Sequence, residues 1–381
     1  MRAALICLPQ PGEAAMPAIA GKSLARRQLL FAQEAGCTAV IAFGGGASPD
    51  AIDFRHAVER AGMKYQVIST ALALPGIIAD DDSLLVLQPG LLPESPVALD
   101  LLKADGNRVL VVSAGPGVAA GLERIDLDRA WAGALTLPGR FLGKVANLPE
   151  DVAPAPALLR IALQQRLSEV RMSDAMLDDG RWSVIRTQDM AEARALLWQR
   201  THLGDVPPGA PSRWLGRAMV AGKAVLEWRH LRAGLLVLTA LLLGGGVLAG
   251  WFDMPALGFA LVALAMPVIE GVLAIAQLGV APFGKIRRWP WLRRVVDLAL
   301  ITLGVLSIDS LPHRVLFPPL VLGAALILLD LRSLPAWLEP LRDRMVIAGL
   351  VAVLALVIGP EMAIMLAATL VLAANLWPQR G

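Results

Sequence analysis

The chain has 381 residues, 56% of them hydrophobic, and its mean hydropathy of +0.60 reflects an apolar content above that of ordinary soluble domains. The net charge is only +3, and the Lys and Arg residues collect beside the hydrophobic stretches, which argues against a nucleic-acid-binding protein. Cys7 and Cys37 form no disulfide framework, and the four histidines form no metal-ligand pattern. The apolar excess begins near Arg232, which predicts one soluble domain followed by one membrane domain.

Short apolar runs alternate with helical stretches in the first half of the chain. The predicted strands are Ala3–Leu8, Thr38–Phe43, Tyr65–Ser69, Ser83–Leu87 and Arg108–Ser113. The predicted helices are Leu24–Ala35, Asp50–Ala61, Pro96–Lys103, Ala157–Glu169 and Asp189–Gln199. This alternation is typical of a layered α/β domain with a mostly parallel sheet. The first apolar run ends at Pro9 and is too short for a signal-peptide core, so we expect this domain to remain in the cytoplasm.

Three short motifs suggest phosphate or cation sites but lack the full pattern. Gly21–Ser23 ends like a phosphate-binding P-loop, but Met16 stands where that loop needs glycine. Gly44–Gly46 follows a predicted strand without the dinucleotide-binding spacing, so we interpret it as a strand-to-helix turn. We interpret Asp80–Asp82 as a solvated turn in preference to a cation site.

The second half contains six apolar stretches that predict membrane spans. These are Leu231–Trp251, Pro255–Val280, Val295–Ile308, Val315–Leu329, Met345–Ile358 and Glu361–Trp377. The third to fifth are shorter than the roughly 20 residues that a bilayer core needs, so we expect them to extend into flanking residues.

Basic residues lie on one side of these spans. They are Arg213, Arg217, Lys223, Arg229 and Arg232 before the first span, Lys285, Arg287, Arg288, Arg293 and Arg294 between the second and third, and Arg332, Arg342 and Arg344 between the fourth and fifth. Among the loops on the other side, Arg314 is the only basic residue. The positive-inside rule therefore predicts a multi-pass protein of the bacterial inner membrane with both termini in the cytoplasm.

The segment between the two halves mixes aromatic and basic residues. Trp214, Met219 and Trp228 alternate with arginines between Ser212 and His230, which predicts an amphipathic helix at the membrane surface; a plain cytosolic linker helix is the alternative. The sequence thus predicts a cytoplasmic domain over residues 1–205, a linker with an interfacial helix over 206–230, and a membrane domain over 231–381.

Two motifs frame the soluble half. Ala20–Leu29 reads A-G-K-S-L-A-R-R-Q-L and precedes Ala35–Cys37, and Trp182–Ala193 reads W-S-V-I-R-T-Q-D-M-A-E-A. They resemble the G-K-P-L-L-x-R-Q-L element with a later A-G, and the closing W-x-D-V-D-T-x-x-D-x-x-x-A, of sugar-nucleotidyltransferase domains. The resemblance covers residues 1 to about 200 and implies a three-layer, Rossmann-like α/β nucleotidyltransferase fold.

In that family a glycine-rich loop wraps the nucleotide phosphates, and carboxylates hold a divalent cation. Here the loop is reduced to Pro9–Pro17, which leaves Gly12 and Lys22 as weak candidates for nucleotide binding. The metal aspartate of L-V-L-x-G-D falls on Gly90, and the second acid, in D-V-D-T, falls on Arg186. Both expected cation ligands are therefore missing.

The membrane half resembles CDP-alcohol phosphatidyltransferases. That family has six spans and the signature D-x-x-D-G-x-x-A-R, eight residues, G-x-x-x-D-x-x-x-D, whose four acids bind a divalent metal. Glu270–Ile275 reads E-G-V-L-A-I, and Gly284 follows after eight residues, so the spacing is kept at the second and third spans. The four acid positions read Pro267, Glu270, Arg288 and Leu292. Fusions of these two modules exist as bifunctional enzymes that make phosphoinositol-type lipids.

The resemblance makes Glu270 a weak catalytic candidate and implies no confident metal ligand. Weak candidates for binding nucleotide or CDP-lipid are Gly271, Ala274, Gly284 and Arg288. The alternative for Glu270 is an ion pair with Lys285, Arg287 or Arg288. Asp297 and Asp330 lie near cytoplasmic span ends, where we expect them either to snorkel toward the interface or to form ion pairs.

The missing acids leave two main hypotheses for function. The first is an impaired relative of the fused enzymes that binds a lipid or a partner protein; the second is an active transferase with relocated ligands that uses Mg²⁺ or Mn²⁺. A transporter is disfavoured, because the spans contain few internal polar residues. We expect membrane lipid, and a nucleotide or CDP-lipid, as ligands, no nucleic acid, and a homodimer through the membrane domain.

Overall fold

A computed structural model describes residues 1–377 except residues 11, 20, 45, 47, 104–105, 148, 150–151, 222–227 and 284–290. The chain divides into two compact units. Unit 1 comprises Met1–His202 with Ala281–Phe283, and unit 2 comprises Leu203–Val280 with Gly284–Gly381. Unit 1 contains the strands and unit 2 is helical, in agreement with the predicted change from an α/β half to a helical half.

Unit 1 is built on a seven-stranded sheet. In chain order the strands of the unit are β1 (Arg2–Cys7), β2 (Ala18–Ile19), β3 (Lys22–Ser23), β4 (Ala39–Phe43), β5 (Lys64–Ile68), β6 (Ser83–Leu87), β7 (Leu91–Pro93), β8 (Arg108–Ser113), β9 (Arg129–Pro138), β10 (Ser168–Arg171) and β11 (Trp182–Val184). The sheet order is β10-β8-β9-β6-β1-β4-β5, with β9 antiparallel to both neighbours and the other pairs parallel. The predicted strands are confirmed as β1, β4, β5, β6 and β8.

Both faces of this sheet are covered. The helices of the unit are α1 (Leu24–Glu34), α2 (Pro49–Arg60), α3 (Pro96–Lys103), α4 (Ala114–Ala119), α5 (Pro154–Gln164), α6 (Ala175–Asp178) and α7 (Gln188–Leu203), with 3-10 turns at Ala71–Gly76 and Gly139–Asn147. Ala4 and Ile6 of β1 lie in one apolar cluster, and Ala3 and Leu5 lie in another, as the alternation of side chains along a strand requires. The unit therefore has the predicted three-layer α/β architecture.

Two features of unit 1 differ from the prediction. The predicted helix Ala157–Glu169 is wrong at its C-terminal end: α5 ends at Gln164, Arg166 has a φ of 52°, and the chain continues as β10. The other difference is that several elements have no counterpart among the predicted ones, namely the helices α4 and α6 and the strands β2, β3, β7, β9, β10 and β11. The longest of these is β9. Its alanines and Gly133 carry little of the β-branched signal by which strands are recognised.

Residues of the Ala20–Leu29 motif form buried polar contacts in unit 1. Arg27 of α1 donates to Glu94 at 2.7 Å, and the two side chains are 0% and 1% exposed. The Trp198 indole N–H also donates to Glu94, and the Arg27 guanidinium lies 4.2 Å from the centre of the Trp198 ring. Gln28 Nε2 donates to the carbonyls of Gln88 and Leu91 at 3.0 and 2.9 Å. These motif residues satisfy buried polar groups.

Unit 2 is a bundle of helices around one apolar core. Its helices are α8 (Pro211–Val220), α9 (Trp228–Trp251), α10 (Pro255–Val280), α11 (Trp291–Leu306), α12 (Pro312–Leu329), α13 (Arg344–Ile358) and α14 (Pro360–Asn375), with a 3-10 turn at Glu339–Arg342. Helices α9 to α14 lie at the six predicted spans. Among the described residues, three stretches are long and apolar enough to cross a membrane, His230–Trp251, Pro255–Val280 and Pro312–Leu329.

Helix α8 occupies the start of the predicted interfacial segment. Ser212, Gly216 and Val220 form its buried stripe, whereas Trp214 is 63% exposed. Gly216 packs so closely on α10 that a Cβ there would lie 2.7 Å from the backbone nitrogen of Gly271. The helix is shorter than predicted, and residues 222–227 of the predicted segment lie outside the described residues.

Candidate functional site

Unit 2 contains a cavity of about 560 Å³ bordered by α8, α10, α11 and the chain between α12 and α13. Apolar side chains such as Met266 and Leu331 form part of its wall. Its charged lining among the described residues consists of Arg213, Glu270, Arg293, Arg294, Asp330, Glu339, Arg342, Asp343 and Arg344. A cavity that combines arginines with apolar surface suits an amphipathic anion.

Glu270 lies in the second half of α10, and its side chain is 7% exposed. Arg293, in the first turn of α11, donates from Nε and Nη2 to the two carboxylate oxygens of Glu270 at 2.7 and 2.9 Å. Arg213 of α8 lies 4.0 Å from the same carboxylate. A buried carboxylate requires such partners, so the interpretation of Glu270 as an ion-paired residue is confirmed, with Arg293 as its partner.

A second cluster joins three helices beside the cavity. Arg344 of α13 donates to Asp297 of α11 at 2.8 and 3.3 Å and to Asp330, at the end of α12, at 2.6 and 2.8 Å. Arg294 of α11 lies 2.9 and 3.1 Å from the same two carboxylates. Two guanidinium groups thus balance two carboxylates, and the predicted pairing of Asp297 and Asp330 is confirmed.

Asp343 caps the N-terminus of α13 and reaches α8. Its carboxylate accepts hydrogen bonds from the backbone N–H of Met345 at 2.9 Å and from that of Ser212 at 2.8 Å. Through these bonds the first turn of α8 is fixed to α13, which holds Arg213 at the edge of the cavity.

The wall of the cavity does not fit the divalent cation that the resemblance implies. Both oxygens of Glu270 are bonded to Arg293, and the acid positions Pro267 and Leu292 are occupied by buried apolar residues. No group of three or more His, Cys, Asp or Glu side chains that could hold a metal occurs in the part of the chain that the structure describes. The wall offers N–H donors for an anion instead.

The other predicted residues of this half have different positions. Gly271 lies at the crossing with α8, where its Cβ position is 3.4 Å from the carbonyl oxygen of Gly216. Ala274 is buried and lines a smaller cavity of about 300 Å³. Gly284 and Arg288 lie outside the described residues, as do Lys285 and Arg287, the other proposed partners of Glu270.

Unit 1 has a cavity of about 590 Å³ at the ends of β1 and β6, where parallel α/β sheets commonly bind ligands. The reduced loop, Gly90 and Arg186 all line it, so the two acid positions of the nucleotidyltransferase resemblance border one cavity. Gly90 has a φ of +75°, and a Cβ there would lie 2.6 Å from the carbonyl oxygen of Ile185. Arg186 donates to the carbonyl of Gly121 at 3.3 Å. These two positions do not fit a divalent cation.

The remaining ionisable groups of this cavity are few. Glu13 accepts a hydrogen bond from the backbone N–H of Gln10 at 2.8 Å, and burial raises the pKa of the Glu123 carboxyl. Burial also raises the pKa of the Cys7 thiol to about 12, so it stays protonated near neutral pH and is a poor nucleophile.

Gly12 and Lys22 are not among the described residues that line the unit 1 cavity. Gly12 has a φ of +94° and open space around its Cβ position. Lys22 lies in the β2–β3 hairpin, where burial, followed by the positive charge of Arg27, lowers its pKa from the usual 10.5 to about 8. The structure therefore places Lys22 in the surroundings of the Arg27–Glu94 pair.

The motifs that were interpreted as ordinary turns have local structural roles. Ser23 caps α1 by accepting from the N–H of Arg26 at 3.4 Å. Gly44 has a φ of +85°, as a tight turn after β4 requires. Asp82 accepts from the N–H of Ala79 at 3.1 Å and pairs with the N-terminal ammonium group.

Sequence reasoning missed the arginines as site residues. Arg213, Arg293, Arg294 and Arg344 were interpreted only as markers of membrane orientation. One local signal is present in the sequence: Arg294 and Asp297 are three residues apart at the start of the third predicted span, a spacing that brings side chains together on a helix.

No model of a known protein family matches the chain, and no curated protein matches it. Two similar solved structures are nucleotidyltransferases. One is a Bacillus anthracis protein described as a glucose-1-phosphate thymidylyltransferase, with 11% identity and a TM-score of 0.35 over 45% of this chain and 86% of that chain. The other is the UDP-glucose pyrophosphorylase of Acinetobacter baumannii, with 11% identity and a TM-score of 0.38 over 53% of this chain and 94% of that chain. At this level of similarity, the activities of these two proteins do not transfer to the chain.

Proposed function

We propose that the chain is an integral membrane protein related to phospholipid head-group transferases, and that it binds the phosphate of an anionic lipid without transferring it. In this proposal a nucleotidyltransferase-like domain is fused to a CDP-alcohol phosphatidyltransferase-like membrane domain of six spans. Both termini are cytoplasmic, the membrane domain forms a homodimer, and the impaired enzyme serves as a lipid- or partner-binding subunit.

The observation that carries the proposal is the contact between Arg293 and both oxygens of Glu270. In the family that the membrane half resembles, the acid at this position binds a divalent cation that neutralises phosphate charge. In this chain the Arg293 guanidinium, and not a cation, binds the carboxylate of Glu270. Its planar set of N–H donors still attracts phosphate. Phosphate binding is thus favoured, and metal-assisted transfer is disfavoured.

The lining of the larger cavity supports an anionic lipid as the ligand. Five arginines and four carboxylates line it among its described residues, with Asp297 paired to two of these arginines behind the wall, and apolar side chains complete the lining. Such a lining offers guanidinium N–H donors to a phosphate and apolar surface to the body that the phosphate joins. The predicted topology puts this end of the helices at the cytoplasmic leaflet, where anionic lipids are abundant.

The alternative is an active transferase with relocated metal ligands. Glu270, Asp330 and Asp343 line the same cavity, which favours this alternative to a limited degree. A substrate-bound Mg²⁺ or Mn²⁺ would have to displace Arg293 from Glu270, or Arg344 from Asp330.

The binding test uses the full chain in nanodiscs and compares phosphatidylglycerol with phosphatidylcholine. We expect Arg213→Gln to weaken the preference for the anionic lipid about tenfold, because a charge-assisted hydrogen bond is removed. This side chain is 38% exposed, and its loss leaves the Arg293–Glu270 pair intact. Arg314→Gln removes an exposed arginine outside the cavity and is the matched control. Equal binding of both lipids by the unmodified protein would contradict the proposal.

The activity test measures CTP-dependent and CDP-diacylglycerol-dependent products with Mg²⁺ or Mn²⁺. We expect no turnover above that of empty nanodiscs. Robust turnover that Glu270→Ala abolishes and Glu361→Ala leaves unchanged would overturn impairment and establish the active alternative, because Glu361 lies outside both cavities of unit 2.

A further inference from the structure

The Glu270–Arg293 pair also borders the smaller cavity of unit 2. This cavity of about 300 Å³ shares Arg213, Glu270 and Arg293 with the larger one and adds Arg217 of α8 and Gln277 of α10. The Glu270–Arg293 ion pair therefore lines both cavities.

The two cavities differ in their charge balance. Among the described lining residues of the smaller cavity, Arg213, Arg217 and Arg293 face Glu270 alone, so two positive charges are unbalanced. Among the described residues of the larger cavity, five arginines face four carboxylates, and Asp297 pairs with two of these arginines from behind the wall, so the charges are balanced. Charge complementarity therefore favours a dianion in the smaller cavity over the larger one.

Two hydrogen bonds hold the Arg217 guanidinium in position at the smaller cavity. Its Nη1 and Nη2 donate to the carbonyls of Gly204 and Leu203 at 2.6 and 2.7 Å. A guanidinium has five N–H donors, so these two carbonyls do not exhaust it. Burial, followed by the like charge of Arg213, lowers the pKa of the Arg217 guanidinium, while Glu270 and Asp205 act in the opposite direction. A bound anion would further favour the charged guanidinium.

We propose that the smaller cavity is a separate binding site for a small phosphomonoester dianion. This proposal rests on the proposed lipid function only in that both cavities use Arg213 and the Glu270–Arg293 pair. Because Arg213 and Arg293 serve both cavities, a dianion that draws them toward the smaller cavity weakens lipid binding in the larger one. By reciprocity, an anionic lipid weakens binding of the dianion to the same degree.

The test measures binding of inorganic phosphate to the full chain in phosphatidylcholine nanodiscs by calorimetry at about pH 8, where phosphate is mainly a dianion. We expect saturable binding that Arg217→Gln weakens about tenfold or more, and that Arg217→Lys weakens less because the charge is kept. Arg332→Gln is the matched control, because Arg332 lines neither cavity. Ala274→Leu fills the smaller cavity without touching an arginine, and we expect it to abolish phosphate binding.

The same variants in phosphatidylglycerol nanodiscs separate the two proposals. We expect Arg217→Gln to leave the lipid preference within about twofold, because Arg217 lines only the smaller cavity. Lipid preference without saturable phosphate binding would overturn the dianion site alone. Phosphate binding without lipid preference would overturn the lipid function alone. Phosphate binding that Arg332→Gln reduces as much as Arg217→Gln does would also overturn the dianion site.

Discussion

The two units bury the same kind of pair in different surroundings. In unit 1, Arg27 and Glu94 are almost fully buried and packed against Trp198. In unit 2, Arg293 is 33% exposed and pairs with Glu270 at the wall of two cavities. The first pair is enclosed by protein, so its role is structural, whereas the second is open to a ligand that could compete for the arginine.

The comparison shows that burial of an ion pair does not by itself mark a functional site. Arg27 belongs to the motif that carries the nucleotidyltransferase resemblance, yet it is not among the described residues that line the unit 1 cavity. Arg293 belongs to no motif and lies where a ligand could reach it. Access to a cavity, in addition to the charges, separates the two cases.

The largest expected effect tests this difference directly. We expect Glu94→Ala to lower the free energy of unfolding by about 3–5 kcal/mol, because Arg27 is left buried without its partner. Glu270→Ala should cost less, about 1–3 kcal/mol, because Arg293 is 33% exposed and reaches water when its partner is removed. Thermal and denaturant unfolding of the full chain in nanodiscs measures both. An equal loss of unfolding free energy in the two variants would contradict the distinction between an enclosed pair in unit 1 and a pair open to a cavity in unit 2.

A control sets the scale for these variants. Arg55 and Glu59 form an exposed pair one helical turn apart on α2. We expect Arg55→Ala to leave the free energy of unfolding unchanged within the error of the measurement, because solvent screens an exposed pair.

A smaller effect separates helix packing from ion pairing in unit 2. We expect Gly216→Ala to destabilise the protein by about 1–3 kcal/mol, because the new Cβ would meet the backbone of Gly271 and Pro267 at 2.7 Å. Gly234→Ala is the matched control, since nothing lies within 4 Å of its Cβ position and alanine favours a helix by about 1 kcal/mol. Unfolding midpoints that fall equally in both variants would contradict close packing of α8 on α10.

The smallest effect concerns pH and the interior of unit 1. Lys22 has a pKa of about 8 in the fold and 10.5 when exposed, so the unfolded chain binds more protons between these values. The contribution of Lys22 to stability should therefore rise from about pH 8 to pH 10, by on the order of 1–2 kcal/mol after screening by solvent. The Cys7 and Cys37 thiols act in the opposite direction above about pH 9, because burial raises their pKa from 9.0 to about 12 and the unfolded chain loses their protons first.

The measurement is the unfolding midpoint of the unmodified chain and of Lys22→Met across this pH range. We expect the midpoint of the unmodified chain to rise relative to that of Lys22→Met as the pH increases, with Lys103→Met, on the exposed end of α3, as the control. A difference between the unmodified chain and Lys22→Met that stays constant across this range would contradict the lowered pKa of Lys22.

The sequence predicts the elements of both units well because hydrophobic periodicity reports on local structure. The strands β1, β4, β5, β6 and β8 and the helices α9 to α14 lie where the apolar runs indicate. Hydrophobic periodicity does not predict strand β9, because this strand is rich in alanine and is stabilised by its neighbours β6 and β8.

The candidate site was predictable only in part. Motif spacing singles out Glu270, and the cost of burying a carboxylate predicts that it has a cationic partner. The choice of Arg293 depends on how α10 and α11 pack, and the joint position of Asp297, Asp330 and Arg344 depends on three helix ends. Contacts between segments that are far apart in the chain leave no recognisable pattern in the local sequence.

The close approach of Gly90 to Ile185 restricts which residues can stand at position 90. An aspartate at position 90 would need room for a Cβ where the carbonyl oxygen of Ile185 lies 2.6 Å away, and a backbone with a φ of +75° that aspartate adopts with difficulty. The N–H of Ile185 also donates to the carbonyl of Gly90 at 2.8 Å, so the two segments are tied together. A Gly90→Asp substitution would therefore strain the fold before its carboxylate could serve as a ligand.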